Sequence, residues 1–341
     1  MRLSEKAKFL RGKKARITMQ ALGIALFIYI LISIDLSKAL RSLSRITLYE
    51  ALLVIALLIV ITFIKGFRWR LIVAGQGTEI PMFRSFLLYY AGLYLGFITP
   101  GKVGDFIKSI YLVNRGLSVG RAVFSSFLDR MGDVIFLVLI GYISLLFFPG
   151  LFSNQILIST LILIVTLAVS LAVFWRRDIL TRLIRQFGAY VLPSRFVSRM
   201  DQALSGMLKE FDTLDVRSSI SIVLLTLTGW FLQYLIFIIF ADLLSLNISV
   251  FIVVASVSAA IFTSMIPISI SGLGTRELVL IFIFSRIGLS SESAVSFSFS
   301  FILVTFVQCI IGLLCWLTGP FYAGDLRSIT DEEKEPEKNS K

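Results

Sequence analysis

The sequence contains no histidine among its 341 residues, and it contains only two cysteines, Cys309 and Cys315. The absence of histidine excludes imidazole acid–base catalysis, histidine-activated nucleophiles and the commonest metal ligand in proteins. The two cysteines lie in one apolar run, with neither a metal-binding spacing nor a disulfide framework around them. We therefore expect no metal, no cofactor and no catalytic constellation, and the protein is predicted not to be an enzyme.

Charged residues are also scarce, at 16% of the chain, whereas 57% of the residues are hydrophobic. Soluble domains carry roughly a quarter charged residues. Apolar runs long enough to cross a bilayer recur along the chain, and they are continuous rather than alternating. The sequence therefore predicts an all-α polytopic membrane protein and not a β-barrel.

The few charges carry a net excess of +12. Because the basic residues lie mainly in loops and at helix ends, they favour a role in membrane topology and contact with anionic lipid rather than nucleic-acid binding. Residues 1–16 are basic, and no signal-peptide cleavage site follows the first apolar run. Residues 323–341 form a charged tail that we expect to be disordered. Both termini are predicted to lie in the cytoplasm, with the protein in the cell membrane.

The apolar runs predict a transmembrane domain over residues 17–322 with about six full spans and two re-entrant helical hairpins. The hairpins, at 84–114 and 249–288, are each interrupted by a break that contains proline and glycine. The basic segment 176–217 is predicted to form amphipathic helices at the cytoplasmic headgroups. The predicted full spans are 17–34, 48–65, 121–149, 154–175, 218–240 and 291–318.

An internal repeat relates the two hairpins. An offset of 172 residues places Asp105 on Glu277 and the Gly-Leu-Ser at 116–118 on the Gly-Leu-Ser at 288–290. The repeat halves are about 17–149 and 154–318. Since three full spans separate the hairpins, the halves are predicted to have opposite orientations, an inverted-topology repeat typical of transporters.

The breaks contain prolines and glycines that permit tight turns and close backbone approach, and charged residues cluster around them. A charge deep in a bilayer is costly and faces a partner or a cavity. Two interpretations remain open: ion pairs that only hold helices together, or a polar cavity for an anionic or zwitterionic headgroup. The break residues are Pro100, Gly101, Gly104, Pro267, Gly272 and Gly274. The candidate substrate-path residues are Lys102, Asp105, Asp129, Arg130, Asp133, Arg276 and Glu277.

Two further groups of polar residues have open interpretations. Gln233 and Gln308 either line this cavity or form a hydrogen bond between helices. Arg68, Trp69 and Arg70, in the basic-aromatic stretch at 65–70, are predicted to anchor the end of a span at the membrane interface.

Three motifs resemble those of the lysylphosphatidylglycerol synthase/flippase transmembrane family: "TPGKVGDFIKS" (99–109), "FLDRMGD" (127–133) and "PISISGLGTRELVL" (267–280). The resemblance implies an inverted-repeat lipid flippase. It implies a stand-alone member, because the aminoacyltransferase domain that follows this region in some members is not found here. Some stand-alone members are associated with hopanoid or isoprenoid-linked lipids. By resemblance, the residues expected near the lipid path are Asp105, Arg130, Asp133, Arg276 and Glu277.

The favoured function is therefore a flippase or transporter that moves a phospholipid or related amphiphile between leaflets. Without a P-loop, its driving force would come from ions, membrane potential or the lipid gradient. One alternative is a membrane-embedded lipid-modifying enzyme, since Asp129 and Asp133 form half of a metal-binding D-x-x-x-D motif. Another is a non-transporting partner of a lipid synthase. The predicted partners are membrane lipids, anionic, zwitterionic or isoprenoid-linked, and a second copy of the chain in a homo-oligomer.

Overall fold

A computed structural model of the protein describes residues 47–175, 215–265, 272 and 274–318. Several predicted features lie outside these residues: the first span at 17–34, most of the basic segment 176–217, Pro267 and the tail 323–341. The first hairpin lies within the described parts, and so does the second except for residues 266–271 and 273.

The described chain is all-helical, with no strand in these residues, which confirms the predicted fold class. A short 3-10 segment, Pro100–Ile107, lies between the second and third helices. In chain order, the helices are α1 (Leu48–Gly75), α2 (Met82–Ile98), α3 (Lys108–Asn114), α4 (Val119–Leu146), α5 (Pro149–Trp175), α6 (Val216–Leu243), α7 (Val250–Met265), α8 (Thr275–Arg286) and α9 (Ser291–Leu317).

Three of the described helices, α1, α6 and α9, are long and apolar enough to cross a membrane. Helices α2 and α7, the first legs of the two hairpins, are apolar but have only 17 and 16 residues. At 1.5 Å per residue they measure about 25 Å, less than the ~30 Å hydrocarbon core. These lengths agree with a polytopic membrane protein, while re-entry of the hairpins stays a prediction.

Helix α1 begins at a capping box and continues beyond its predicted end. The N–H of Glu50 donates to the Thr47 hydroxyl at 3.3 Å, and the Glu50 carboxylate accepts from the Thr47 N–H at 2.7 Å. The sequence prediction ended this helix at residue 65, where basic residues begin, but the helix runs to Gly75. The basic stretch is therefore internal to the helix, and apolar residues resume at Leu71.

The first break follows directly from its sequence. Thr99 precedes a proline and adopts an extended conformation, which ends α2. Pro100 and Gly101 then start the 3-10 segment. Its turn brings Gly104 so close to α2 that a β-carbon there would lie 2.2 Å from the carbonyl oxygen of Leu95. The Gly104 N–H donates to the Thr99 hydroxyl at 2.7 Å, so the chain folds back onto the end of the helix it has just left.

The second break also folds back on its own first leg. Gly272 has φ +78°, and a β-carbon there would lie 2.6 Å from the Cβ of Ser264 near the end of α7. Helix α8 then begins after Gly274, whose N–H donates to the Glu277 carboxylate at 2.6 Å. Helices α7 and α8 pack against each other.

The two halves of the chain have matching helices. The 172-residue offset carries α4 onto 291–318, almost the span of α9. Both helices begin at a serine N-cap, Ser118 and Ser290. Each hairpin packs on the long helix of the other half, since α2 lies along α9 and α7 lies along α4, while α1 and α6 pack together. This exchanged packing is the arrangement expected of two equivalent halves.

In the part of the chain that the structure describes, the packed interior has two hydrophobic clusters, one around each hairpin. The larger surrounds α7 and α8 and includes Phe237, Phe284 and Phe297. The smaller surrounds α2 and α3 and includes Trp69 and Trp316. Helices α1 and α9 contribute to both clusters. Their polar residues Thr62, Lys65, Thr305 and Gln308 lie where each helix passes from one cluster to the other.

Because Gly104 touches backbone, we expect Gly104→Ala to destabilise the protein by about 1–3 kcal/mol or to prevent folding. Gly150→Ala is the matched control, because a β-carbon at Gly150 meets nothing within 4 Å. Thermal unfolding in detergent measures both. Equal melting temperatures for Gly104→Ala and the unmodified protein would contradict the close approach of the first break.

Candidate functional site

A cavity of about 140 Å³ lies between the two breaks and the long apolar helices. It contacts α1, α6 and α9 near the middle of each helix, not at the ends. These three are the helices long and apolar enough to cross a membrane. The residues that they contribute are Ile61, Thr62 and Lys65 of α1, Trp230, Gln233 and Phe237 of α6, and Phe301, Val304, Thr305, Gln308 and Cys309 of α9.

The cavity brings together residues that are distant in the sequence. Of the seven candidate path residues, five line it: Lys102, Asp105, Arg130, Asp133 and Arg276. They come from the first break, from α4 and from the start of α8, so one space meets the first break and the helices on either side of the second. Gln233 and Gln308, whose interpretation was open, also line this space.

The other two candidates, Asp129 and Glu277, do not line the cavity. Asp129 is buried behind it on α4, and Glu277 caps the start of α8. The Glu277 carboxylate also accepts from Arg276 Nη2 at 2.9 Å and from the Ser298 hydroxyl. It therefore fixes Arg276, whose guanidinium lies 5.3 Å above the ring of Phe301.

A buried ion-pair cluster centred on Arg68 supports one side of the cavity. Arg68 is 1% exposed. Its Nε donates to Asp129 Oδ1 at 2.9 Å, and its Nη1 and Nη2 donate to the two oxygens of Asp133 at 2.7 and 3.1 Å. Nη1 also donates to the Thr226 hydroxyl at 3.0 Å, and the Trp230 indole N–H donates to Asp133 at 3.0 Å. Arg68 thereby joins α1, α4 and α6.

The remaining carboxylate oxygen of Asp129 is bound from the first hairpin. Lys108 Nζ donates to Asp129 Oδ2 at 2.8 Å, and the Tyr89 hydroxyl donates to the same oxygen at 3.2 Å. The ammonium also lies 4.3 Å above the Tyr89 ring. Each oxygen of this buried carboxylate is therefore satisfied, which a charge in an apolar medium requires.

Arg130 connects this cluster to the cavity. It forms an ion pair with Asp105 of the first break, and its Nη1 lies 3.6 Å from Asp133 Oδ2. The Arg130 side chain is 20% exposed, whereas the Arg68 side chain is 1% exposed. Arg130 is thus the accessible member of the network.

Two lysines that line the cavity have no carboxylate as ion-pair partner among the described residues. Among the described residues, neither Lys65 nor Lys102 forms an ion pair. The Lys65 ammonium lies 4.8 Å above the Trp230 ring. The backbone of Lys102 has φ +57°, a left-handed conformation that is uncommon for a lysine. This conformation belongs to the tight turn of the first break.

The prediction that Arg68 and Trp69 anchor the chain at the membrane interface is wrong. Both are buried, Arg68 in the ion-pair cluster and Trp69 with its indole N–H donating to the Ser125 hydroxyl at 3.2 Å. Arg70 is half-buried and donates to the Ile80 carbonyl oxygen at 2.7 Å. The sequence analysis also did not include Lys65 and Lys108 among the candidate site residues. The apolar residues that resume after Arg70 indicate that the helix continues through the basic stretch, and this pattern could have placed Arg68 inside it.

Comparison with known proteins agrees with the three motifs. Residues 20–312 match the family model of the lysylphosphatidylglycerol synthase TM region. The chain belongs to this family. It is also similar to a UPF0104 membrane protein of Methanocaldococcus jannaschii, with 24% identity over 227 residues, which covers 64% of this chain and 91% of the relative. The resemblance seen in the sequence is thereby confirmed for the membrane region.

We expect Arg68→Met to destabilise the protein by about 3–5 kcal/mol, because it leaves Asp129 and Asp133 buried without their shared cation. Arg70→Met is the matched control and removes one hydrogen bond from a guanidinium to a carbonyl oxygen, which contributes about 1.5 kcal/mol. Unfolding curves in mixed detergent micelles measure both. Similar losses for the two variants would show that Arg68 does not organise the cluster.

Proposed function

We propose that this protein moves a phospholipid or related amphiphile between the leaflets of the cell membrane, with the headgroup passing through the cavity. The observation that carries the proposal is the position of the cavity, at the middle of α1, α6 and α9. A space lined by charged side chains at the middle of three membrane-length helices is costly to build. It is useful to a protein that must bring a polar group across.

The dimensions of the cavity and its surroundings support a headgroup as occupant. A volume of about 140 Å³ is well above the roughly 10–15 Å³ that one water molecule needs. Its walls combine apolar side chains such as Phe237 and Val304 with the charges of Lys102, Asp105 and Arg130. An amphiphile would place its headgroup among these charges and leave its acyl chains in the bilayer.

The short first legs of the two hairpins support re-entry in this proposal. Helices α2 and α7 are too short to cross the full hydrocarbon core, and each chain folds back at its break. Breaks that meet at a central site are the plan of inverted-repeat transporters. With both termini in the cytoplasm, the hairpins would enter from opposite sides of the membrane.

The arrangement of Asp129 and Asp133 favours transport over the alternative of a metal-dependent lipid enzyme. Their carboxylates do not converge on an open space, since both bind the guanidinium of Arg68 and Asp129 also binds Lys108. We therefore propose that the protein performs no covalent chemistry. The driving force in this proposal is an ion gradient, the membrane potential or the lipid gradient itself.

Asp105→Asn and Arg130→Gln are expected to reduce lipid translocation at least about tenfold, because each removes one charge of the accessible ion pair. The assay uses the full chain in liposomes with acyl-labelled fluorescent phospholipids, and it follows chemical quenching of the label in each leaflet. Arg217→Gln is the control, since Arg217 is exposed at the start of α6, away from the cavity.

Retained melting temperatures in the two cavity variants are needed to attribute the loss to transport. Equal translocation by liposomes with and without the protein, for anionic, zwitterionic and isoprenoid-linked lipids, would overturn the proposal. Unchanged translocation in both variants would show that the lipid path does not pass through this cavity.

A further inference from the structure

We propose that the cavity selects a phosphate-bearing headgroup with no balancing positive charge, bound by the ammonium groups of Lys65 and Lys102. The inference rests on the proposed function and names the chemical class of its substrate. It follows from how the charges around the cavity are paired.

Each carboxylate in and behind the cavity already has an arginine partner. Asp105 pairs with Arg130, and Glu277 pairs with Arg276. Asp129 and Asp133 share Arg68, and Lys108 also binds Asp129. Among the described residues, all four acids of this region thus have a cation as neighbour. Asp105 Oδ1 accepts no hydrogen bond, but this atom is buried against Gly92 of α2. Every carboxylate is therefore paired or buried, which disfavours a headgroup that carries an ammonium.

Two cations remain after this pairing, Lys65 and Lys102. Both are half-buried and both line the cavity. They come from different elements, Lys65 from the middle of α1 and Lys102 from the first break. An anion bound by both ammonium groups would neutralise this positive charge and connect the two elements.

A phosphate group matches this pair, whereas a neutral sugar brings no charge to it. The anionic oxygens of a phosphate accept charge-assisted hydrogen bonds from two separated ammonium groups at once. The rest of the cavity offers hydrogen-bonding side chains for a hydroxylated headgroup, those of Thr305, Gln233 and Gln308. A zwitterionic headgroup would bring its own cation into a space that already has a cationic excess, and the pairing of the acids leaves that cation without a partner.

A lipid headgroup and a soluble phosphate ester offer the same chemistry, so the test includes both. We would measure binding to the full chain in an uncharged detergent by isothermal titration calorimetry. The probes are dioctanoyl phosphatidylglycerol, dioctanoyl phosphatidylcholine, glycerol 3-phosphate and inorganic phosphate. The first two share their acyl chains and phosphate and differ in the headgroup alcohol, a hydroxylated neutral glycerol in one and a cationic choline in the other. The lysine variants separate the effect of charge from that of the hydroxyl groups.

We expect phosphatidylglycerol to bind at least about tenfold more tightly than phosphatidylcholine, the factor that one hydrogen bond to a charged group contributes. Lys65→Gln and Lys102→Gln should each reduce this preference. Lys65→Arg and Lys102→Arg should retain it, and Arg217→Gln should leave it unchanged. Weak binding of the two soluble probes would assign the site to a lipid, whereas equally tight binding of glycerol 3-phosphate would overturn the lipid assignment.

Equal affinity for the two lipids, or a preference that survives both glutamine variants, would overturn the inference. The outcome of the binding measurement can be distinguished from the outcome of the transport assay. Preferential binding without translocation in liposomes would contradict the proposed function and leave the ligand class standing. Translocation of phosphatidylcholine as fast as phosphatidylglycerol, with no binding preference, would contradict the ligand class and leave transport standing.

Discussion

The structure depends on a guanidinium buried inside a membrane-length helix. Arg68 cannot lose its charge, and in an apolar medium that charge is stable only when its donors are paired. Asp129, Asp133 and Thr226 supply that pairing from α4 and α6. The requirement therefore fixes three helices relative to one another, and Lys108 extends the same network to the first hairpin.

The buried cluster has a more accessible neighbour at the cavity. Arg130 is adjacent in sequence to Asp129, yet its side chain is 20% exposed, and it pairs with Asp105 of the first break. The Arg68 cluster joins three helices, so the interpretation as ion pairs that hold helices together applies to it. A cavity for a headgroup is our proposal for Arg130 and the residues around it.

The sequence predicted the helical class, the first break and most of the charged residues that line the cavity, because prolines, glycines and charges are conspicuous inside apolar runs. It misplaced Arg68, because a basic-aromatic stretch after an apolar run also marks a membrane interface. The partners of Arg68 lie 61 and 65 residues further along the chain, and no local spacing reveals such pairs. Glu277 was predicted as a path residue, but it caps α8, a role that depends on the backbone turn at Gly274.

The central claim is that a polar headgroup path crosses the middle of the membrane domain between the two breaks. An experimental structure of the full chain in nanodiscs of phosphatidylglycerol tests it most directly. The expected result is a lipid phosphate beside Lys65 and Lys102, midway between the headgroup layers of the nanodisc. A cavity closed by protein side chains or filled only by acyl chains, with every phosphate at the two surfaces, would contradict it.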